Sequence, residues 1–292
     1  MTPSAKMRYF FIVAVIELFH CEKIKGKATG LLWISIIALA VVLLGGPSWG
    51  KESKMKMVIL YDNYPYKEGL FTGWGFSCLI EAEGKRILFD TGGDGHILLH
   101  NMRSLAIDPK AIDLVVLSHP HGDHTGGLSA LMGVNQKVTV FLPRSFPKGF
   151  KEDIRRLGGE VKEISGPSQI WDGFYSTGEM GSWIKEQSLV IHTPKGMVIV
   201  TGCAHPGVVN IIRRAKETWR KEVLLVLGGF HLAWAGEREI KGIVSDFKRL
   251  GVRYAAPCHC SGDLARDAFR KVYGQNFIEV GVGKEIRIEE LN

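Results

Sequence analysis

Long apolar runs, cysteine and charge imbalance are all in short supply in this chain of 292 residues, and each shortage narrows what it can be. No apolar run reaches the ~20 residues that a membrane-spanning helix needs. Of only five cysteines, Cys21 lies near the N-terminus. Cys203, Cys258 and Cys260 stand beside histidines in turn-like sequence, which reads as free or metal-facing thiols, although pairing is not legible from sequence. The formal net charge is +7, but the first fifty residues carry five Lys/Arg against two acids, which leaves +4 on the remainder. That surplus is too small to argue a nucleic-acid partner. Basic clusters such as Arg213-Arg214 and Arg220-Lys221 fall on a helical pattern as a solvated face.

What is present begins with a leader. A basic patch, Lys23, Lys25 and Lys27, precedes the apolar run Leu31 to Leu44, and Ser48-Trp49-Gly50 places small residues at a cleavage position. This is the layout of a secretory signal peptide, with a mature start near Lys51. A second apolar run, Tyr9 to Phe19, broken by Glu17, leaves a retained anchor open as the alternative. Residues 1–50 are therefore expected to be a signal peptide or N-terminal membrane anchor, and residues 55–292 one domain. The protein is expected to be exported or anchored facing outwards, with membrane contact only through an uncleaved leader.

Beyond the leader, strands and helices alternate. Met57 to Tyr61, Phe76 to Glu81 and Arg86 to Phe89 read as strands, the last two as a hairpin around Glu83-Gly84. Ile97 to Leu105 has helical spacing, Leu114 to Leu117 is a buried strand, and a helix around Asp153 to Leu157 lies between strands Val138 to Leu142 and Glu160 to Ile164. A second hairpin, Ser188 to His192 with Met197 to Val200, leads to a helix over Gly207 to Trp219. The strand Val223 to Leu227 and the helix Glu239 to Leu250 follow. This alternation argues an α/β layered domain.

Four strand ends deliver histidine. The densest is Ser118-His119-Pro120-His121-Gly122-Asp123-His124 after Leu114 to Leu117. In an extended backbone alternate residues point the same way, so His119 and His121 can share one metal while Asp123 and His124 turn towards a second. Asp90, at the end of Arg86 to Phe89, is either a turn former or a carboxylate that orients a ligand histidine. His205, His231 and His259 close three further strands. Any one of them alone would be an ordinary hydrogen-bonded histidine; together with the dense loop they read as a shared rim, with His231 left open between ligand and structural roles. His96 and His100 read as surface residues and His192 as structural.

The pattern Ser118-His119-x-His121-x-Asp123-His124-x-Gly126-Gly127, with Asp90 before it, resembles the signature of the metallo-β-lactamase superfamily. Gly73-Trp74-Gly75-Phe76-Ser77, Thr201-Gly202-Cys203-Ala204-His205-Pro206-Gly207, Gly228-Gly229-Phe230-His231-Leu232 and Cys258-His259-Cys260-Ser261-Gly262 make it similar to one branch of it. That branch is the 7,8-dihydropterin-6-methyl-4-(β-D-ribofuranosyl)aminobenzene 5'-phosphate synthases. The resemblance runs from about Met55 to the C-terminus. It implies a four-layer αβ/βα sandwich with one or two metal ions, usually zinc, sometimes iron or manganese. Two departures stand out: Cys203 occupies the place of a bridging aspartate, and Glu186 lies near the place of a missing third histidine.

On that resemblance His119, His121 and His205 would hold one metal and Asp123, His124 and His259 a second. Asp90 would orient ligand rings, Cys203 and Glu186 are further possible ligands, and Asp123 and His231 would serve in catalysis. The expected function is hydrolysis of a small-molecule phosphoester or lactone-like ester by metal-activated water. A synthase-type transferase that displaces diphosphate, and a metal-bound sensor without turnover, are the alternatives.

Overall fold

The computed structural model describes residues 55–82 and 84–292. The leader expected over residues 1–50 and the hairpin tip at Glu83 lie outside the described residues. Among the described residues no helix is long and apolar enough to cross a membrane.

Strand β1 (Met55–Tyr61) shows how the layers arise. Successive side chains leave a strand on opposite faces. Met57 and Ile59 enter one apolar cluster and Val58 and Leu60 another, so a helical layer and a second sheet can each cover one face. Strand β2 (Ser77–Ala82) pairs antiparallel with this strand, and β3 (Lys85–Phe89) pairs antiparallel with β2. Helix α1 (Gly95–Ser104) then carries the chain to β4 (Leu114–Val116), parallel to β3. A helical turn, α2 (Gly122–Thr125), and helix α3 (Leu128–Val134) lead to β5 (Thr139–Pro143), and helix α4 (Lys148–Arg156) leads to β6 (Glu160–Ile164). Helix α4 starts earlier than the expected segment around Asp153.

The other sheet comprises β7 (Ser168–Trp171), β8 (Phe174–Ser176), β9 (Leu189–Thr193), β10 (Gly196–Thr201), β11 (Val223–Gly229) and β12 (Tyr254–Cys258). Its outer face carries α5 (Val208–Trp219), α6 (Glu237–Arg249) and α7 (Asp263–Tyr273). A last strand, β13 (Glu285–Arg287), returns to β1 and completes the first sheet in the order β13-β1-β2-β3-β4-β5-β6. Phe89, Val116, Leu189, Val200 and Leu227 meet in the cluster between the sheets. The layers are therefore helix, sheet, sheet, helix, the four-layer αβ/βα sandwich.

Parallel pairing decides where the site forms. β3 runs parallel to β4, and β10 and β12 both run parallel to β11, so within each group the C-terminal ends lie at one edge. Asp90, His119, Cys203, His231 and His259 all follow such ends.

Candidate metal centre

Asp90 organises the first sheet's contribution. Its Oδ1 accepts the Ser118 N–H at 2.7 Å, and its Oδ2 accepts both the Ser118 hydroxyl and His124 Nδ1–H at 2.7 Å. Because the Ser118 proton goes to Asp90, its oxygen is free to accept from His119 Nδ1 at 2.8 Å. One buried carboxylate thus sets the tautomer of two imidazoles and leaves both Nε2 atoms facing inwards. Asp90 holds this place at φ 54, and Ala204, His231 and His259 also have positive φ, at 61, 56 and 48. Non-glycine residues in that region are strained, and four of the six among the described residues stand at this edge, Ala106 and Arg220 being the others.

The stretch from His119 to His124 divides in two. His119 and His121 lie on the irregular segment, whereas Asp123 and His124 lie on α2, and that helical turn swings them away. Two donor groups result, each with its atoms within 4.8 Å of one another. His119, His121 and His205 form the first, with His119 Nε2 3.1 Å from His121 Nδ1. Asp123, His124, Cys203 and His259 form the second: Cys203 Sγ is 3.1 Å from His124 Nε2 and 3.5 Å from His259 Nε2, and Asp123 Oδ2 is 3.3 Å from His259 Nε2. The edge of a tetrahedron around an ion with bonds of about 2.1 Å is about 3.4 Å, so these separations fit a bound cation. His205 Nε2 is buried without a hydrogen-bond partner, as a ligand atom facing a cation would be.

The electrostatics divide the donors between those already neutral and those a cation would have to deprotonate. Burial and the surrounding imidazoles hold His119 far below the usual histidine range, and burial with His231 and His121 holds His205 at about 4, so both stay neutral and able to ligate. His124 goes the other way: against the effect of burial, the charge of Asp90 raises it to about 9. Asp123 is raised by burial but lowered more by its hydrogen bond with His259 and by His124, and it settles at about 2. The Cys260 thiol and burial push Cys203 up, so a cation would have to displace its proton.

Glu186 lies outside these groups. Its Oε1 accepts the N–H of Cys203 and Ala204 at 3.0 and 2.8 Å, and Oε2 accepts that of His205 at 2.8 Å. A carboxylate that satisfies three consecutive amides holds the loop's shape, and that is its place here instead of direct ligation. Cys203 stands inside the second group. His231 is exposed at the mouth, its ring 4.5 Å from His205, and with Cys203 and His205 it makes a third set of close donors. His96 and His100 lie away from the centre, the latter stacked on Phe71, and His192 packs on Tyr175. All four described cysteines are free and buried.

Sequence reading gave no role to Ser118, Gln187 or Trp74. Gln187 ties the sheets together by donating to Leu117 O at 2.8 Å and accepting from Ser176 Oγ. Trp74 covers His259, with ring centroids 5.0 Å apart, and Trp234 lies 6.0 Å from His231. Ser118 was within reach of inference, because it immediately precedes the histidine pair; the others depend on residues distant in sequence.

Fold and centre define an α/β sandwich with donor sets for two metal ions at one edge of its sheets. The model of the metallo-β-lactamase superfamily matches residues 75–209. The 7,8-dihydropterin-6-methyl-4-(β-D-ribofuranosyl)-aminobenzene-5'-phosphate synthase of Methanocaldococcus jannaschii is 32% identical over 82% of this chain and 98% of its own length. The crystal structure of Tm1679, a metal-dependent hydrolase of the β-lactamase superfamily, superposes with a TM-score of 0.69 at 27% identity, over 80% of this chain and 98% of that one. Ribonuclease Z of Clostridium botulinum is 36% identical, but only over 27% of this chain and 25% of its own length. This chain belongs to the metallo-β-lactamase superfamily. Its named relatives include enzymes, and the fold usually binds metal ions.

Proposed function

We propose that this chain is a two-metal hydrolase of a small-molecule phosphoester or lactone-like ester, acting outside the cytoplasm. The observation that carries the reading is the pair of donor groups, three imidazoles in one and Asp123, His124, Cys203 and His259 in the other, set side by side with the His119 and His124 rings 4.3 Å apart. Zinc suits nitrogen-rich sets that include a thiol, with iron and manganese as the competing ions. When bound, such ions acidify water and polarise a phosphoryl or carbonyl oxygen.

The chain's own groups supply the rest. Asp123, half-buried and anionic across the neutral range, is placed to take the proton of an attacking water. His231, exposed and held above the ordinary histidine value by the Cys260 thiol, can return a proton to the leaving oxygen. Asp90 and Ser118 keep the rings from turning.

A synthase reading has one observation in its favour: Trp74 and Trp234 offer aromatic faces beside His259 and His231 to a ring-bearing substrate, and the M. jannaschii relative is named for a pterin product. An exported protein would not meet such substrates, and for that reason hydrolysis is preferred. Metal analysis followed by assays on a phosphodiester, a lactone and a β-lactam tests the proposal. Bound metal with no hydrolysis would turn it towards the synthase or a sensor. N-terminal sequencing of the purified protein tests export, and a start at Met1 or Met7 in the soluble fraction would overturn it.

A further inference from the structure

After β1 the chain turns over Asp62-Asn63-Tyr64, and this turn reaches the loop that follows β12. Asn63 Oδ1 lies 3.0 Å from His259 Nδ1, and Asn63 Nδ2 donates to the His259 carbonyl at 3.1 Å. Orientation of the amide is not arbitrary. A backbone carbonyl can only accept, so the amide nitrogen must face it and the amide oxygen must face the ring. An amide oxygen carries no proton, so the ring must present Nδ1–H to it, which turns Nε2 inwards. Nε2 is the atom 3.5 Å from Cys203 Sγ and 3.3 Å from Asp123 Oδ2.

His259 has particular need of a clamp. It sits at φ 48, a strained region for a non-glycine residue. The turn that presents Asn63 is itself fixed: wholly buried Asp62 accepts the Tyr64 N–H at 2.9 Å through Oδ1, and its carbonyl accepts from Gly73 N at 3.1 Å. Trp74 packs against the same imidazole.

We propose that Asn63 is the positioning residue of His259, gripping ring and main chain together so that Nε2 faces the second donor group; this rests on the reading of His259 as a metal ligand. Two measurements test it. In the metal-free protein with nitrogen-15-labelled histidine, His259 should show a protonated Nδ1. A bare Nδ1 overturns the proposal whether or not metal binds. In Asn63→Leu the two tautomers should mix, and in Asn63→Asp, which keeps an acceptor for the ring, Nδ1–H should persist.

Zinc binding is then followed by chelator competition. Loss of an outer partner typically weakens a site by roughly 10–100-fold. One of the two zinc equivalents should weaken by that factor in Asn63→Leu, the other should hold, and Asn63→Asp, which keeps the acceptor for the ring but loses the donor to the carbonyl, should weaken it less than Asn63→Leu. Unchanged zinc affinity in Asn63→Leu, or equal weakening in both variants, overturns the role. Should the unsubstituted protein bind no zinc, iron or manganese, the metal reading fails, while the tautomer pattern still decides what Asn63 does.

Discussion

Single side chains at this edge are coupled through a few carboxylates, so their substitutions should separate by what each one touches. His124 links Asp90 to the second donor group. His124→Ala should lose metal by more than the roughly 10–100-fold cost of an outer partner, and activity with it, while circular dichroism stays native; full metal content and activity would refute the two-group scheme. Glu186→Gln keeps an oxygen for Cys203 and Ala204 but sets an amide N–H against that of His205. It should cost roughly 1–3 kcal/mol in urea unfolding and weaken zinc at the His119/His121/His205 group more than at the other. Asp62 offers a pH test. Burial raises its carboxyl to about 6, so the folded state holds this proton more tightly than the unfolded chain. The penalty is complete above pH 6 and disappears as pH falls towards 4. Asp62→Asn abolishes that dependence, so its stability relative to the parent should improve by roughly 3 kcal/mol between pH 4 and pH 8, as read from denaturation at each pH.

At the scale of elements, the centre depends on how closely the C-terminal ends of β3, β4 and β10 approach one another. A Cβ added at Gly202 would lie 2.2 Å from Ser118 Oγ and 3.0 Å from Asp90 Oδ2. Gly202→Ala must therefore drive the second sheet's loop off the Asp90–Ser118–His119 relay. The expected result is a loss of about 2–4 kcal/mol together with weaker binding of both metal equivalents, measured by thermal unfolding and chelator competition. Native stability with intact metal binding would mean that the two sheets are not locked at this point. The strands were legible because β1, β4 and β10 carry continuous apolar runs of the kind buried strands require. The turn α2 was not, since Gly122-Asp123-His124-Thr125 has no apolar spacing to mark a helix; it is held by hydrogen bonds from His124 and Thr125 to the His121 carbonyl.

For the molecule as a whole, a cation bound only by the native state adds stability by mass action, about 2.7 kcal/mol at a hundred times its dissociation constant. Stripping metal with a chelator should lower Tm by roughly 5–10 °C, and restoring zinc should reverse the change; an unaltered Tm would argue against occupancy of either group. The sequence by itself determined the layered α/β class and singled out most of the candidate donors, His119, His121, Asp123, His124, His205 and His259, because strand periodicity and the residues at strand ends are local properties of the chain. Only the tertiary structure decided that Cys203 stands among them while Glu186 holds backbone amides, and that Asn63 grips His259. Those relations join residues tens to hundreds of positions apart, and they exist only once parallel strands have brought their ends to one edge.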